Sequence, residues 1–354
     1  MHERLIPWAI RLLRTGIVPG SAVEDLTVGY GSFRTTMYEG LDEFLRGKHQ
    51  KPIFVRGEWG TGKSHALHYL RTLASHLGLP TAFVSLNARS LALNYPQRLY
   101  GEIAASARTD KIMGVRALLE AILHDTHLRM TLKRHLASSG PNGLSPSLLA
   151  LIDHFDRHAS LDPRLESLWS HVLGEDLGWA DYPYKRERAL NRLEALAECF
   201  RAINGAGLVL LFDELETIDQ LWNQRSRAIG YDVIARIAKL PSVWSVFAIT
   251  DRFLRIVKHD SSLHATSANW ISGGLNAGNF KVFDPPRLNQ TLAAELAMTI
   301  TDFYLKGYPL MNFSRKQVPQ WVEEWGRNPS RNPRRLIRLV VNRLDLLRPL
   351  DAQY

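Results

Sequence analysis

Gly57-Glu58-Trp59-Gly60-Thr61-Gly62-Lys63-Ser64 fits the pattern GxxxxGK[ST], and its flanks say where it sits. Before it runs the apolar Ile53-Phe54-Val55; after it, Ala66, Leu67, Leu70 and Leu73 recur at helical spacing. A strand, a glycine-rich turn and a helix in that order are the context a phosphate-binding P-loop requires. The glycines let the backbone curl until successive N–H groups and the helix N-terminus face phosphate oxygens. Lys63 is then the cation for the terminal phosphates and the Ser64 hydroxyl a ligand for Mg²⁺, while Glu58, Trp59, Thr61 and His65 belong to the loop beside Gly57, Gly60 and Gly62. The bland alternative is an ordinary glycine-rich turn before a helix, and the strand and helix on either side count against it.

A second stretch answers the first. Leu208-Val209-Leu210-Leu211-Phe212-Asp213-Glu214 is an apolar run closed by two carboxylates. A parallel strand buried on both faces reads as such a continuous run, and ligands of open α/β sheets bind beyond the carboxyl ends of the strands. Asp213 is therefore expected to hold Mg²⁺ and Glu214 to polarise the attacking water. Standing about 150 residues after the P-loop, the pair reads as the other half of one Mg-ATP site.

Around these motifs the chain reads as alternating elements. Leu5, Ile6, Ala9, Ile10, Leu12 and Leu13 carry helical spacing closed by Gly16, and a second helix is expected from about Phe33 to Leu45. Thr81–Leu86, Val243–Ile249 and Val282-Phe283 read as further strands. Residues 98–200 are mostly helical, broken at Gly140-Pro141-Asn142-Gly143, Asp162-Pro163 and Tyr182-Pro183, which makes a long insertion at about 101–200 between core strands. Its alternating charges describe a solvated helical surface. From Asn289 the pattern is helical to the end, with Asn332 as cap and Pro333 in the first turn of the last helix.

Composition narrows the class. The 354 residues, 45% apolar and 22% charged, are those of a globular protein with a full core, and the net charge of +9 favours a polyanionic partner such as nucleic acid. Cys199 is the only cysteine, which excludes a disulfide framework and a cysteine zinc site within the chain, and its neighbours Leu193, Leu196 and Phe200 point to a buried thiol. His124, His127, His135, His154 and His158 lack the carboxylate and cysteine pattern of a metal site. Met1-His2-Glu3-Arg4 opens no signal-peptide apolar region, and no apolar run reaches a membrane span, so a reducing cytoplasm is the expected compartment.

Taken together, the entry Leu26-Thr27-Val28-Gly29, the P-loop, Leu86-Asn87-Ala88-Arg89, Asn94-Tyr95-Pro96-Gln97-Arg98-Leu99-Tyr100, the Walker B run Leu211–Ile218 and the double proline Pro285-Pro286 resemble an AAA+ ATPase of the initiator-like branch. Within it they are more similar to the ATP-binding proteins of BREX phage-defence systems (BrxD-like). The resemblance implies an AAA+ P-loop NTPase fold: a parallel five-stranded sheet flanked by helices, with the insertion and a C-terminal helical lid. The division it implies is a core at 1–287 and a lid at 288–354. Val28 and Tyr30 then pack beside the adenine, or else cap the core; Tyr30 stands where initiator-type relatives often carry arginine. Thr250 is either the "sensor 1" contact to the γ-phosphate or, as an alternative to Asp251, the N-cap of the next helix. Arg334, in a basic helix start that opposes the macrodipole, is either the "sensor 2" arginine or part of a solvated basic cluster.

The expected function is hydrolysis of Mg-ATP to assemble or remodel a DNA-associated defence complex, with Glu214, Lys63, Thr250 and Arg334 as the catalytic set. Partners are other defence subunits, further copies of the chain when ATP is bound, and DNA, with no membrane. Arg252, Arg255, Arg225 and Arg227 are candidates for an arginine that completes a neighbour's site. The chain ends soon after the lid, so a winged-helix DNA-binding domain is not expected. A nucleotide-gated assembly module with little hydrolysis is the competing reading, and a P-loop kinase a weaker third.

Overall fold

Apolar runs become strands because each is buried where a neighbour can pair with it. The computed structural model describes residues 5–138, 143–157, 164–178, 182–221, 223–263, 266–309, 313–328 and 331–348. Gly140-Pro141-Asn142, Asp162-Pro163, His158 and Met1–Arg4 lie outside the described residues. The strands are β1 (Ile53–Arg56), β2 (Thr81–Ser85), β3 (Leu208–Asp213), β4 (Val243–Ile249) and β5 (Lys281–Phe283), in one parallel sheet of order β2-β3-β4-β1-β5. Every residue of β3 and β4 is buried, which is why both runs are continuous rather than alternating. The helices in chain order are α1 (Ile6–Thr15), α2 (Gly31–Leu45), α3 (Lys63–His76), α4 (Pro96–Ser106), α5 (Val115–His124), α6 (Thr126–Ser138), α7 (Ser145–Asp156), α8 (Leu165–Leu173), α9 (Pro183–Asn204), α10 (Gln224–Lys239), α11 (Asp251–Ser262), α12 (Thr266–Asn276), α13 (Gln290–Gly307), α14 (Val318–Gly326) and α15 (Pro333–Asp345).

The chain divides into two compact units. The first comprises residues 1–35, 56–72 and 284–354; the second comprises 36–55 and 73–283. The second holds the sheet. Register pairs Ser85 with Asp213, Phe212 with Phe247 and Val55 with Phe283. Phe54, Phe247 and Phe212 stack in sequence across β1, β4 and β3, at ring separations of 5.4 and 5.1 Å. Gly40 of α2 faces Trp244 of β4 so closely that a Cβ there would come within 2.6 Å of the indole, so only glycine lets this helix sit on the strand. Helices α4 to α9 fill the connection between β2 and β3 and bury Leu119, Leu132, Leu151, Trp169 and Leu196 in the same core as Phe212, with Cys199 among them.

The first unit has its own core. One apolar stripe of α1 (Ile6, Ala9, Ile10, Leu13) packs with Val28 and with Ala297, Ile300, Leu336, Val340 and Leu344 of the C-terminal helices. At its edge Arg14 donates two hydrogen bonds to Asp345, at 2.6 and 2.7 Å, and Tyr304 donates a third at 2.6 Å. Burial tends to raise the Asp345 pKa, but these donors outweigh it and hold the carboxyl below the usual range.

Candidate nucleotide-binding site

The P-loop is closed by its own residues. Thr61 donates its hydroxyl to the Glu58 carbonyl at 2.7 Å and its N–H to the same oxygen at 3.3 Å, turning the chain back on itself. Lys63, 8% exposed, lies inside the curl and donates to the carbonyls of Gly57 (2.8 Å) and Glu58 (3.4 Å). Gly60 and Gly62 have φ of +78° and +107°, the region that side chains avoid. Space is short as well: a Cβ on Gly57 would run into the Thr61 hydroxyl, and one on Gly62 would come within 2.8 Å of the Tyr30 hydroxyl. Helix α3 starts at Lys63, so Ser64 and His65 stand in its first turn, where N–H groups have no partner earlier in the helix.

The entry segment lies against this turn. Tyr30 donates its hydroxyl to the Gly62 carbonyl at 3.2 Å and packs edge-on to Phe33 and Tyr69, at 5.6 and 6.1 Å between ring centres. Burial raises its phenol pKa well above the usual value. The Thr27 hydroxyl gives its single proton to the Val23 carbonyl (2.6 Å), so the 2.8 Å contact with His65 Nε2 needs the proton on that nitrogen. That proton is present in the neutral Nε2–H tautomer and in the imidazolium alike, and burial, which pushes the ring pKa down to about 4, favours the neutral form. Gly29 has φ +78°, and a Cβ there would come within 3.2 Å of Leu292 and 3.5 Å of Pro286. Tyr30 and His65 thus lie together beside the loop with Thr27 and Tyr69, which were not singled out, while Val28 is buried with α1 and the C-terminal helices. Tyr69 follows His65 by one helical turn, which is the signal that could have found it.

The last helix also reaches the loop. Asn332 caps α15 by accepting the Arg335 N–H at 2.9 Å, the role its position suggested. The Arg334 N–H approaches the Gly60 carbonyl at 3.4 Å, and its guanidinium lies 5.9 Å from the centre of the Trp59 ring. Trp59 is 61% exposed, and the arginine is its cation–π neighbour within this unit.

In the second unit the carboxyl ends of β3 and β4 carry the other expected residues. Asp213 is 5% exposed; its carbonyl accepts the Leu86 N–H, which fixes the backbone into the ladder with β2. Glu214 has φ +61°, the one non-glycine residue with positive φ among those described. A bulky residue held there signals a constraint imposed by its surroundings. Here the Asp213 carboxylate accepts the Glu214 N–H at 3.0 Å, and Thr217 donates both N–H (3.0 Å) and hydroxyl (2.8 Å) to the Glu214 carbonyl. Thr250, 3% exposed, caps α11 by accepting the Phe253 N–H at 3.4 Å.

The four candidate arginines separate. Arg227 makes two hydrogen bonds to Asp260, at 2.8 and 3.0 Å, and Tyr231 adds another at 2.9 Å. Asp260 is 1% exposed, and Arg252 pairs with Asp219. Arg225 and Arg255 are exposed and meet no carboxylate among the described residues. Arg227→Ala leaves the Asp260 charge buried without its cation, so it is expected to cost about 3 kcal/mol of stability in urea unfolding. An unchanged unfolding midpoint would release Arg227 from this structural duty.

The chain matches the family described as BREX system ATP-binding protein BrxC/D, over residues 4–142 and 184–352. It belongs to that family. The description makes the chain an ATP-binding component of a phage-defence system, working beside the other subunits of that system. The matched ranges take in the P-loop, the entry segment, both carboxylates and Arg334, and leave out 143–183 of the helical insertion. No individually curated protein matches the chain. Among the described residues no helix is long and apolar enough to cross a membrane.

Proposed function

We propose that the chain is an AAA+ ATPase that hydrolyses Mg-ATP to assemble or remodel a DNA-associated defence complex. The observation that carries the proposal is the closed P-loop with Lys63 buried inside it, in a chain whose family binds ATP. Backbone N–H groups at the start of α3 hold the phosphates, Lys63 exchanges its loop carbonyls for phosphate oxygens, and Tyr30, His65 and Val28 pack toward the base. The rest is supported by the sequence pattern, an apolar strand closed by Asp213 and Glu214 following a P-loop in the same chain, which is the pairing expected of one Mg-ATP site. On this reading Glu214 accepts the proton of the attacking water, Thr250 orients the terminal phosphate, and Arg334 meets its charge. The Ser64 hydroxyl and Asp213 carboxylate are hard oxygen donors, the set that suits Mg²⁺, which when bound neutralises charge on the phosphates. Measuring ATP turnover with and without Mg²⁺ and duplex DNA tests the proposal. Tight ATP binding with no turnover under any of these conditions identifies a scaffold instead.

The basic lid is the proposed DNA contact. Arg343 pairs with Glu324 at 2.7 Å, Arg335 bonds Asn328, and Arg348 stacks on Tyr308 at 4.0 Å. Arg327, Arg331 and Arg338 are exposed and meet no carboxylate among the described residues. Contact made by charge alone ignores sequence and weakens steeply with salt. Arg338→Ala is therefore expected to spare ATP binding, lower duplex affinity about equally for unrelated sequences, and make the salt dependence shallower. An unchanged salt slope would assign this face to a protein partner.

A further inference from the structure

A cavity of about 610 Å³ opens at the carboxyl end of β2, where Ser85 pairs in register with Asp213. Phe83 and Leu91 supply its apolar lining, Gln97, Arg98 and Glu102 enter from α4, and Glu175 closes it from the turn after α8. Its volume is that of a small-molecule site, and every lining residue belongs to the second unit, so none of the P-loop takes part.

One side chain sets it apart from a surface hollow. Gln97 is 3% exposed, and neither its amide nitrogen nor its amide oxygen meets a hydrogen-bond partner. Buried polar groups are almost always paired, so such an amide at the wall of a cavity calls for a ligand. Its neighbours are arranged around it: Arg98 lies over the Tyr95 ring at 4.4 Å, and Leu99, Tyr100 and Ile103 anchor α4 in the core. All but Ile103 belong to the stretch Asn94-Tyr95-Pro96-Gln97-Arg98-Leu99-Tyr100, which ATP chemistry at the P-loop leaves unused.

The lining decides the class of ligand. A glutamine amide presents a donor and an acceptor side by side, the complement of the N6 and N7 edge of adenine. Phe83 and Leu91 suit the face of a base, and a carboxylate accepts ribose hydroxyls, as the acidic residue of dinucleotide folds does. Two carboxylates against one guanidinium disfavour a polyphosphate. We infer that this cavity is a second ligand site that takes an uncharged purine nucleoside.

The test titrates adenosine into the parent and into Lys63→Ala, by calorimetry or equilibrium dialysis. Both are expected to show one saturable site of sub-millimolar affinity, with uridine about tenfold weaker or worse. Gln97→Leu keeps the volume and removes the unpaired amide, so it should hold or raise the thermal midpoint while weakening adenosine at least about tenfold. Absence of saturation at several millimolar adenosine, equal affinity for uridine, or an unchanged affinity in a folded Gln97→Leu would overturn the assignment. ATP binding to the parent, measured alongside, reports on the P-loop alone, so the two readings fail separately.

Discussion

Glu214→Gln is expected to bind ATP as the parent does and to lose turnover by about 10²- to 10⁴-fold, the range that a positioned general base supplies. The substitution keeps the size of the side chain and leaves the backbone device intact. The left-handed φ of +61°, the Asp213 carboxylate on the N–H, and the Thr217 bonds on the carbonyl all involve main-chain atoms of residue 214. What disappears is the carboxylate's capacity to take a proton. Lys63→Ala should behave in the opposite way, raising the dissociation constant for ATP, because the buried ammonium is the loop's cation. A Glu214→Gln variant that turns over ATP at the parental rate would place the base elsewhere.

How far the sequence could be read depended on whether a residue's partner lay nearby in the chain. The strand Val243–Ile249 was visible to the residue because burial on both faces leaves no polar interruption. The cap at Asn332 was visible because a cap acts on an N–H three residues ahead, and the same rule narrowed the start of α11 to Thr250 or Asp251, of which Thr250 is the cap. Helix α12 was not read: Gly273-Gly274 and small polar residues hide its period, and Gly274 is small because the Phe280 ring lies against it. Helix α10 starts at Gln224, where Asn223 caps it by accepting the Ser226 N–H at 2.8 Å. The apolar stripe of α1 was legible as a stripe, but nothing in it says that, besides Val28, its partners lie in the C-terminal helices, roughly 280 residues or more further on. Arg334 beside Trp59 is hidden in the same way, because only the curl of the loop brings Gly60 to the helix start.

The same distance in sequence concealed which arginine is the better candidate for the proposed contact with another copy of the chain. Arg225, Arg227, Arg252 and Arg255 look alike in the sequence, and their acidic partners sit 33 residues away: Asp260 for Arg227 and Asp219 for Arg252. A finger must leave its own subunit to stabilise transition-state charge, so an arginine committed to a carboxylate at home starts at a disadvantage. Arg225 and Arg255 remain, exposed and without such a commitment among the described residues. Replacing both by alanine is expected to preserve folding and ATP binding and to reduce turnover by about 10³-fold or more, the scale of arginine-finger loss. Mixing decides whether the arginine acts in trans. The double alanine variant keeps Glu214 but lacks a finger, and Glu214→Gln has the finger but no base, so each is nearly inactive alone. In a mixed assembly the first supplies a competent site and the second its arginine, and turnover should reappear in proportion to mixed interfaces. Continued inactivity of the mixture, with light scattering showing that mixed assemblies form, would mean that each chain completes its own site.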